Sequence, residues 1–236
     1  PTAAKPLAFA PQIRRAPFQD AIMPYSIRAV AVLGLAALIL ISYLAAPLVD
    51  APAAFLPVWK AAGIVLLALY AFLKRSPLAG TALAFSAVGD VMLALEPPQW
   101  MLGMAAFGLA HLFYGAAFFA FIRRDGVDRK GVPFALLVLV VSIGMGVWHF
   151  PDMGALTAPG LAYQAIITAM AMLALVSRAP MLAKVGALVF MLSDSLIALG
   201  LYKNIPAPPG SIWLTYAAAQ IMLTKALSDT AKRARG

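Results

Sequence analysis

The chain has 236 residues, 63% of them hydrophobic and 11% charged, and a mean hydropathy of +0.90. A soluble domain is closer to half apolar and a quarter charged, so an integral membrane protein is expected instead. There is no cysteine, which removes disulfides, thiolate nucleophiles and Cys-ligated metals, and the net charge of +9 lies in short basic clusters between apolar runs. That is the pattern of topology determinants, so no nucleic-acid partner is expected.

Residues 1–25 are proline-rich and polar ahead of any hydrophobic run, and read as a flexible N-terminal arm rather than a cleavable signal peptide. Eight apolar stretches follow, each about 17–25 residues long, enough to cross a hydrocarbon core. They fall near Ile27–Ala46, Ala54–Leu73, Leu78–Leu95, Leu102–Ile122, Val132–Trp148, Gly160–Ser177, Leu182–Leu201 and Ile212–Leu227. Loops such as Arg75-Ser76-Pro77 and Glu96-Pro97-Pro98 are short enough to force neighbouring helices antiparallel. The expected fold is all-α: eight transmembrane helices over 26–228, then a basic C-terminal tail at 229–236.

Sixteen of the eighteen Lys and Arg fall on one face of this arrangement. The opposite face holds Lys203 with Asp50, Glu96 and Asp152, and Lys60 lies within the second span. By the positive-inside rule both termini are cytoplasmic, and a bacterial inner membrane is the expected location.

Two aspartates sit inside otherwise apolar spans, Asp90 in Ser86-Ala87-Val88-Gly89-Asp90 and Asp194 in Met191-Leu192-Ser193-Asp194-Ser195. A carboxylate at such depth costs several kcal/mol and by default marks function. The likeness of the two stretches predicts a tandem repeat of four helices plus four, related by an axis along the membrane normal. At ~1.5 Å per residue, both aspartates lie ~18 Å from the cytoplasmic start of their helices, Lys60 ~9 Å from the outside and His111 ~13 Å. Tyr114, Tyr163, Tyr216 and Gln220 fall in the outer halves of their spans, so one polar site near the midplane is expected.

Asp90 and Asp194 either lock helices, through serines such as Ser86 and Ser193 or through Lys60, or form an acid/base pair. Two carboxyl groups close together in a low dielectric do not both ionise readily, which leaves a proton donor beside an acceptor. Lys60 neutralises an aspartate or meets an anionic headgroup. His111 and Tyr114 share a broadly aromatic face, while Tyr216 and Gln220 form an i, i+4 pair suited to positioning. His149, between Trp148 and Phe150, reads as an interfacial residue. Asp90, Asp194 and His111 make a thin ligand set, so neither a metal nor another cofactor is expected.

In the order of these motifs the chain resembles the lysoplasmalogenase, or YhhN-like, membrane family. The resemblance is carried by Lys60, Gly89-Asp90, the series Gly103, Phe107, His111, Tyr114 and Phe118, Tyr163 to Met170, Phe190 with Ser193-Asp194, and Tyr216 with Gln220. Ala61 stands where a proline is expected after the lysine. The resemblance implies an enzyme that hydrolyses the vinyl-ether bond of lysoplasmalogens to a fatty aldehyde and a glycerophospho-headgroup. Its partners would be a lysophospholipid substrate and the surrounding membrane lipids. Asp90 and Asp194 would be catalytic, with Lys60, His111, Tyr114, Ser193, Tyr163, Tyr216 and Gln220 binding substrate or supporting the pair. Two other readings use the same aspartates: an aspartyl intramembrane protease, and a proton-coupled lipid or small-molecule transporter.

Overall fold

A computed structural model describes residues 25–49 and 51–233, with side chains from 29 to 230. The expected N-terminal arm up to Pro24, Asp50 and residues 234–236 lie outside the described residues. Eight long helices follow one another: α1 (Tyr25–Ser42), α2 (Leu56–Leu73), α3 (Pro77–Ala94), α4 (Trp100–Asp125), α5 (Val132–His149), α6 (Thr157–Val176), α7 (Met181–Lys203) and α8 (Ser211–Arg233). No strand occurs among the described residues. Proline opens α2, α3 and α5, where its missing N–H has no helical partner to lose. Positive φ at Gly126 (81°) and Asn204 (54°) ends α4 and α7, using residues that tolerate the left-handed region.

The helices pack through small side chains. Ala36, Ala61, Ala71, Ala79, Ala82 and Ala110 are buried, which lets backbones approach closely where lipid supplies no hydrophobic drive. Large apolar residues point outward instead, among them Val30, Leu38, Val140, Val147 and Met181. On a soluble monomer such a coat would be an aggregation surface; on a bundle in lipid it is the outer wall. α2, α3 and α4 lie side by side, α4 also meets α6, and α8 packs on α7 and reaches back to α1, α2 and α3. α5 sits at the edge, held chiefly by α6.

Seven of the eight helices are long and apolar enough to cross a membrane. The exception is α8, whose Tyr216, Gln220, Thr224 and Ser228 recur every fourth residue and are all buried. These four form a polar stripe turned into the bundle, while the Lys225–Asp229 pair is exposed, and the helix continues to Arg233, through part of the expected basic tail.

Side-chain contacts define the two ends of the bundle. At one end Trp213 Nε1 donates to Leu40 O (2.7 Å), and Lys203 pairs with Asp152. At the other, Lys184 Nζ donates to Asp128 Oδ2 (2.7 Å) and Leu175 O (3.2 Å), while Asp128 N donates to Val176 O (2.8 Å). Gly131 completes this second corner, because a Cβ there would lie 1.9 Å from Leu175 O. The Lys184 hydrogen bond, helped by the ammonium charge and the Lys130 N–H, holds the Asp128 carboxyl below the usual carboxylate range. A depressed folded-state value stabilises the fold above the unfolded value, and that support is lost as pH falls through the folded one. Thermal melts from pH 7 to pH 3 should therefore show an acid-side loss in wild type that is smaller in Asp128→Asn. Parallel melting curves for the two proteins would remove the linkage.

Candidate active site

The first half of the site is built on α3. Gly89 has no Cβ because the Phe107 ring occupies its place, 2.5 Å from where that atom would stand. The close contact brings α4 against the turn that carries Asp90, which is 2% exposed. Tyr216 on α8 donates its hydroxyl to Asp90 Oδ2 (2.7 Å), and Lys60 on α2 brings Nζ to 3.8 Å from Oδ1. The Lys60 ammonium also lies 6.0 Å from the centre of the Trp213 ring, whose electron-rich face suits a cation. A buried carboxylate therefore has one hydroxyl donor and one counter-charge, contributed by two different helices.

The second half is built on α7. Tyr163 on α6 donates its hydroxyl to Asp194 Oδ2 in a short hydrogen bond. His111 Nε2 on α4 lies 3.4 Å from the same carboxylate oxygen and 2.9 Å from the Tyr163 oxygen. His111 is fully enclosed, and its Nδ1 has no partner. Asp194 keeps 15% of its side chain open, so it faces space while the imidazole lies behind it.

One ring joins the halves. Phe190 is completely buried and presents an edge or face to His111 (4.6 Å between centres), Tyr216 (5.4 Å), Phe107 (6.3 Å) and Tyr114 (6.5 Å). It thus fixes the groups behind each aspartate relative to the other. Both aspartates line one cavity of about 380 Å³, together with Lys60, Tyr163, Ser193 and Tyr216. That volume lies within the ordinary range for small-molecule sites. Helices α2 to α8 and Tyr43, just after α1, contribute the lining from the half that ends at Lys203 and Trp213, away from the Lys184 corner.

The sequence-predicted residues divide into those on the cavity and those behind it. Tyr114 and Gln220 do not line it; the Tyr114 hydroxyl donates to Gln220 Oε1 (2.6 Å) deeper in the core. His111 is likewise behind the wall. The serines do not lock the aspartates: Ser86 Oγ has no partner, Ser193 donates to Ile212 O (3.0 Å) and Ser195 to Met191 O (2.8 Å). Several lining residues escaped sequence reasoning, namely Trp213, Gln164, Ser142, Tyr202 and His149. Gln164 donates to the Ser142 carbonyl, and both residues also line a groove on the outer side of α5 and α6. His149 is not interfacial as expected but 4% exposed, turned inward against Tyr202. Its spacing of four from Met145 on the same cavity-lining helix face was the available signal.

Among the described residues, no group of three His, Asp or Glu is placed to hold a metal ion. The site offers two carboxyl groups on one mostly apolar cavity, each hydrogen-bonded to a phenol, one beside an ammonium and one before an imidazole. Such an arrangement suits proton transfer to and from a bound molecule.

Comparison with known proteins adds a second kind of observation. Residues 55–227 match the model of the YhhN family. A protein of Mycobacterium bovis named lysoplasmalogenase is 37% identical over 151 residues, covering 61% of this chain and 57% of that protein. One of Mycobacterium tuberculosis with the same name matches to the same extent. Human lysoplasmalogenase TMEM86B is 35% identical over 149 residues, 61% of this chain and 60% of that protein. The chain thus spans less than two thirds of the length of these relatives. No solved structure matches.

Proposed function

The chain belongs to the YhhN family, and from that premise we propose that it is a membrane-embedded hydrolase that cleaves the vinyl-ether bond of lysoplasmalogens. The observation that carries the reading is the pair of aspartates on one cavity wall, each with a tyrosine hydroxyl on its carboxylate. The topology that goes with it has eight spans in two tandem halves of four. Both termini and the basic loops lie on the cytoplasmic side of a bacterial inner membrane. The cavity then opens toward the outer leaflet, within reach of a single-chain amphiphile.

The chemistry needs an acid, a base and water. A protonated carboxyl delivers its proton to the β-carbon of the vinyl ether, and the double-bond electrons become the new C–H bond. The ether oxygen shares a lone pair with the adjacent carbon, giving an oxocarbenium ion that a nearby carboxylate stabilises. Water adds to that carbon and gives up a proton to the carboxylate. The hemiacetal then collapses, releasing a fatty aldehyde and a glycerophospho-headgroup. Two carboxyl groups sharing this work resemble the glycosidase arrangement. No acyl-enzyme forms, so no Ser-His or Cys nucleophile is required.

The test is mass spectrometry of a lysoplasmalogen incubated with the purified full chain. Free long-chain aldehyde in step with glycerophospho-headgroup is the expected result; an intact vinyl ether after prolonged incubation overturns the reading. The phenols give a finer prediction. Tyr163→Phe and Tyr216→Phe keep the ring packing and remove one hydrogen bond to a carboxylate, worth about 1.5–3 kcal/mol. Each should lower kcat roughly tenfold to a hundredfold and lower the melting temperature by several degrees. Unaltered kcat in both would show the hydroxyls to be bystanders.

A further inference from the structure

The acid/base chemistry uses one region of the cavity and leaves another unexplained. Along α7 the cavity continues from Asp194 past Ala198 to Tyr202, eight residues or roughly 12 Å by helical rise. At that far end stands His149. Its ring lies 5.3 Å from Trp148 and 5.5 Å from Tyr202 between centres. Its Nε2 is buried and has no hydrogen-bond partner. A buried nitrogen left unpaired costs about 1–3 kcal/mol, and a small turn of the ring toward the cavity that His149 lines would give it a partner there.

The surroundings point to the chemistry of that occupant. The Tyr202 phenol is pressed against the backbone of Gly160, where a Cβ would come within 2.6 Å of its oxygen. Lys203 sits just beyond, paired with Asp152 and 5.2 Å from the Trp148 ring. Lys203 and Asp152 are the charged groups facing His149, and they are paired with each other. The pocket end therefore offers an imidazole and a phenol beside a closed ion pair. These are donors for an oxyanion on a molecule that also carries an apolar chain. Lys60, 3.8 Å from Asp90, belongs to the aspartate end of the cavity.

We propose that His149, with Tyr202 beside it, receives the phosphodiester of the lysolipid headgroup, making this end of the cavity the subsite that selects phosphorylated glycerolipids. The proposal rests on reading the cavity as a lysoplasmalogen site and moves the headgroup from Lys60 to His149. The dimensions agree. A vinyl-ether oxygen is separated from the phosphorus by about five bonds, roughly 6 Å when extended. The rest of the ~12 Å between Asp194 and Tyr202 is taken up by side-chain reach at the two ends. The ether then lies at the aspartates while the phosphate lies at the bundle end.

The test is a binding preference, measured beside turnover. The full chain in detergent is titrated with two uncleavable probes of equal chain length, 1-O-hexadecyl-glycerophosphoethanolamine and 1-O-hexadecylglycerol. Wild type should favour the phosphorylated probe by about tenfold or more. His149→Ala should bring that ratio toward one and raise KM for the lysoplasmalogen more than it lowers kcat. His149→Gln, which keeps a side-chain N–H, should recover part of the preference and guards against a folding defect. An unchanged ratio in His149→Ala, or equal weakening for both probes, overturns the proposal. Competition separates the sources of phosphate: glycerophosphoethanolamine should displace the probe at lower concentration than inorganic phosphate, and equal displacement would reduce the site to a bare anion site and overturn it. A wild-type preference lost in His149→Ala without any aldehyde release would sink the hydrolase reading and leave the headgroup site standing. Aldehyde release with the preference intact in His149→Ala would do the reverse.

Discussion

Asp90→Asn and Asp194→Asn should each cut aldehyde release from a lysoplasmalogen by at least about a hundredfold, the lower range for loss of a positioned general acid or base. Asparagine has nearly the size of aspartate and keeps an oxygen that can accept the Tyr216 or Tyr163 hydroxyl. It can neither give nor take the proton. The two variants should differ in their side effects. Asp90→Asn leaves the half-buried Lys60 ammonium, now 3.8 Å from the carboxylate, without its counter-charge. It should therefore melt at a lower temperature than Asp194→Asn, whose partners are a hydroxyl and an imidazole with no lysine or arginine among them. If the two carboxyl groups serve one step, the double variant should be little worse than either single one. Turnover within tenfold of wild type in either single variant, with the protein folded, would end the two-aspartate mechanism.

The largest expected effect on stability lies far from the cavity. Gly131→Ala places a Cβ where the Leu175 carbonyl already stands, 1.9 Å from the oxygen and 2.6 Å from the carbon. Both are backbone atoms, so no rotamer change relieves the overlap; the start of α5 must back away from the end of α6. That movement strains the Asp128 N–H bond to Val176 O and disturbs the Lys184 bond to Leu175 O, because all three contacts share one corner. A loss of about 3 kcal/mol is expected, the upper end for overpacking. Gly144→Ala, within the α5 that Gly131 precedes, is the control, with nothing within 4 Å of the new atom. It should be neutral or gain up to about 1 kcal/mol of helix propensity. Thermal unfolding in detergent followed by tryptophan fluorescence separates the two, and equal melting temperatures would contradict the close approach.

What could be read from the sequence depended on how local the physics was. A charge within twenty apolar residues is costly wherever it points, so Asp90, Asp194 and Lys60 stood out from composition alone. Depth followed from helical rise, and of the residues it grouped, Lys60, Asp90, Tyr163, Asp194 and Tyr216 line one cavity. Rotation about each helix axis did not follow. Tyr114 comes one turn after His111 and shares its depth, yet it bonds Gln220 on the core side of Phe190. Pairings across the bundle were equally hidden: Tyr216 reaches back 126 positions to Asp90, and nothing local marks that bond. His149 shows the same limit from the other side. Its neighbours Trp148 and Phe150 are exposed, and the interfacial pattern they make conceals that the histidine between them turns inward. The seven-helix hydropathy signal has one cause as well. α8 scores low because its polar residues are packed against other helices, a distinction that mean apolarity does not register.

That polar stripe on α8 has a consequence for biogenesis. A nascent helix carrying Tyr216, Gln220, Thr224 and Ser228 on one side enters lipid less readily than the seven made before it. Its natural receiver is the groove formed by α1, α2, α3 and α7, which are already synthesised when α8 leaves the ribosome. Asp90 obtains its hydroxyl donor only at that moment, since Tyr216 arrives with α8. Docking of α8 and completion of the site are then one event: a polypeptide stalled or cut before Ser211 holds both aspartates and Lys60 but has no Tyr216 to place on Asp90.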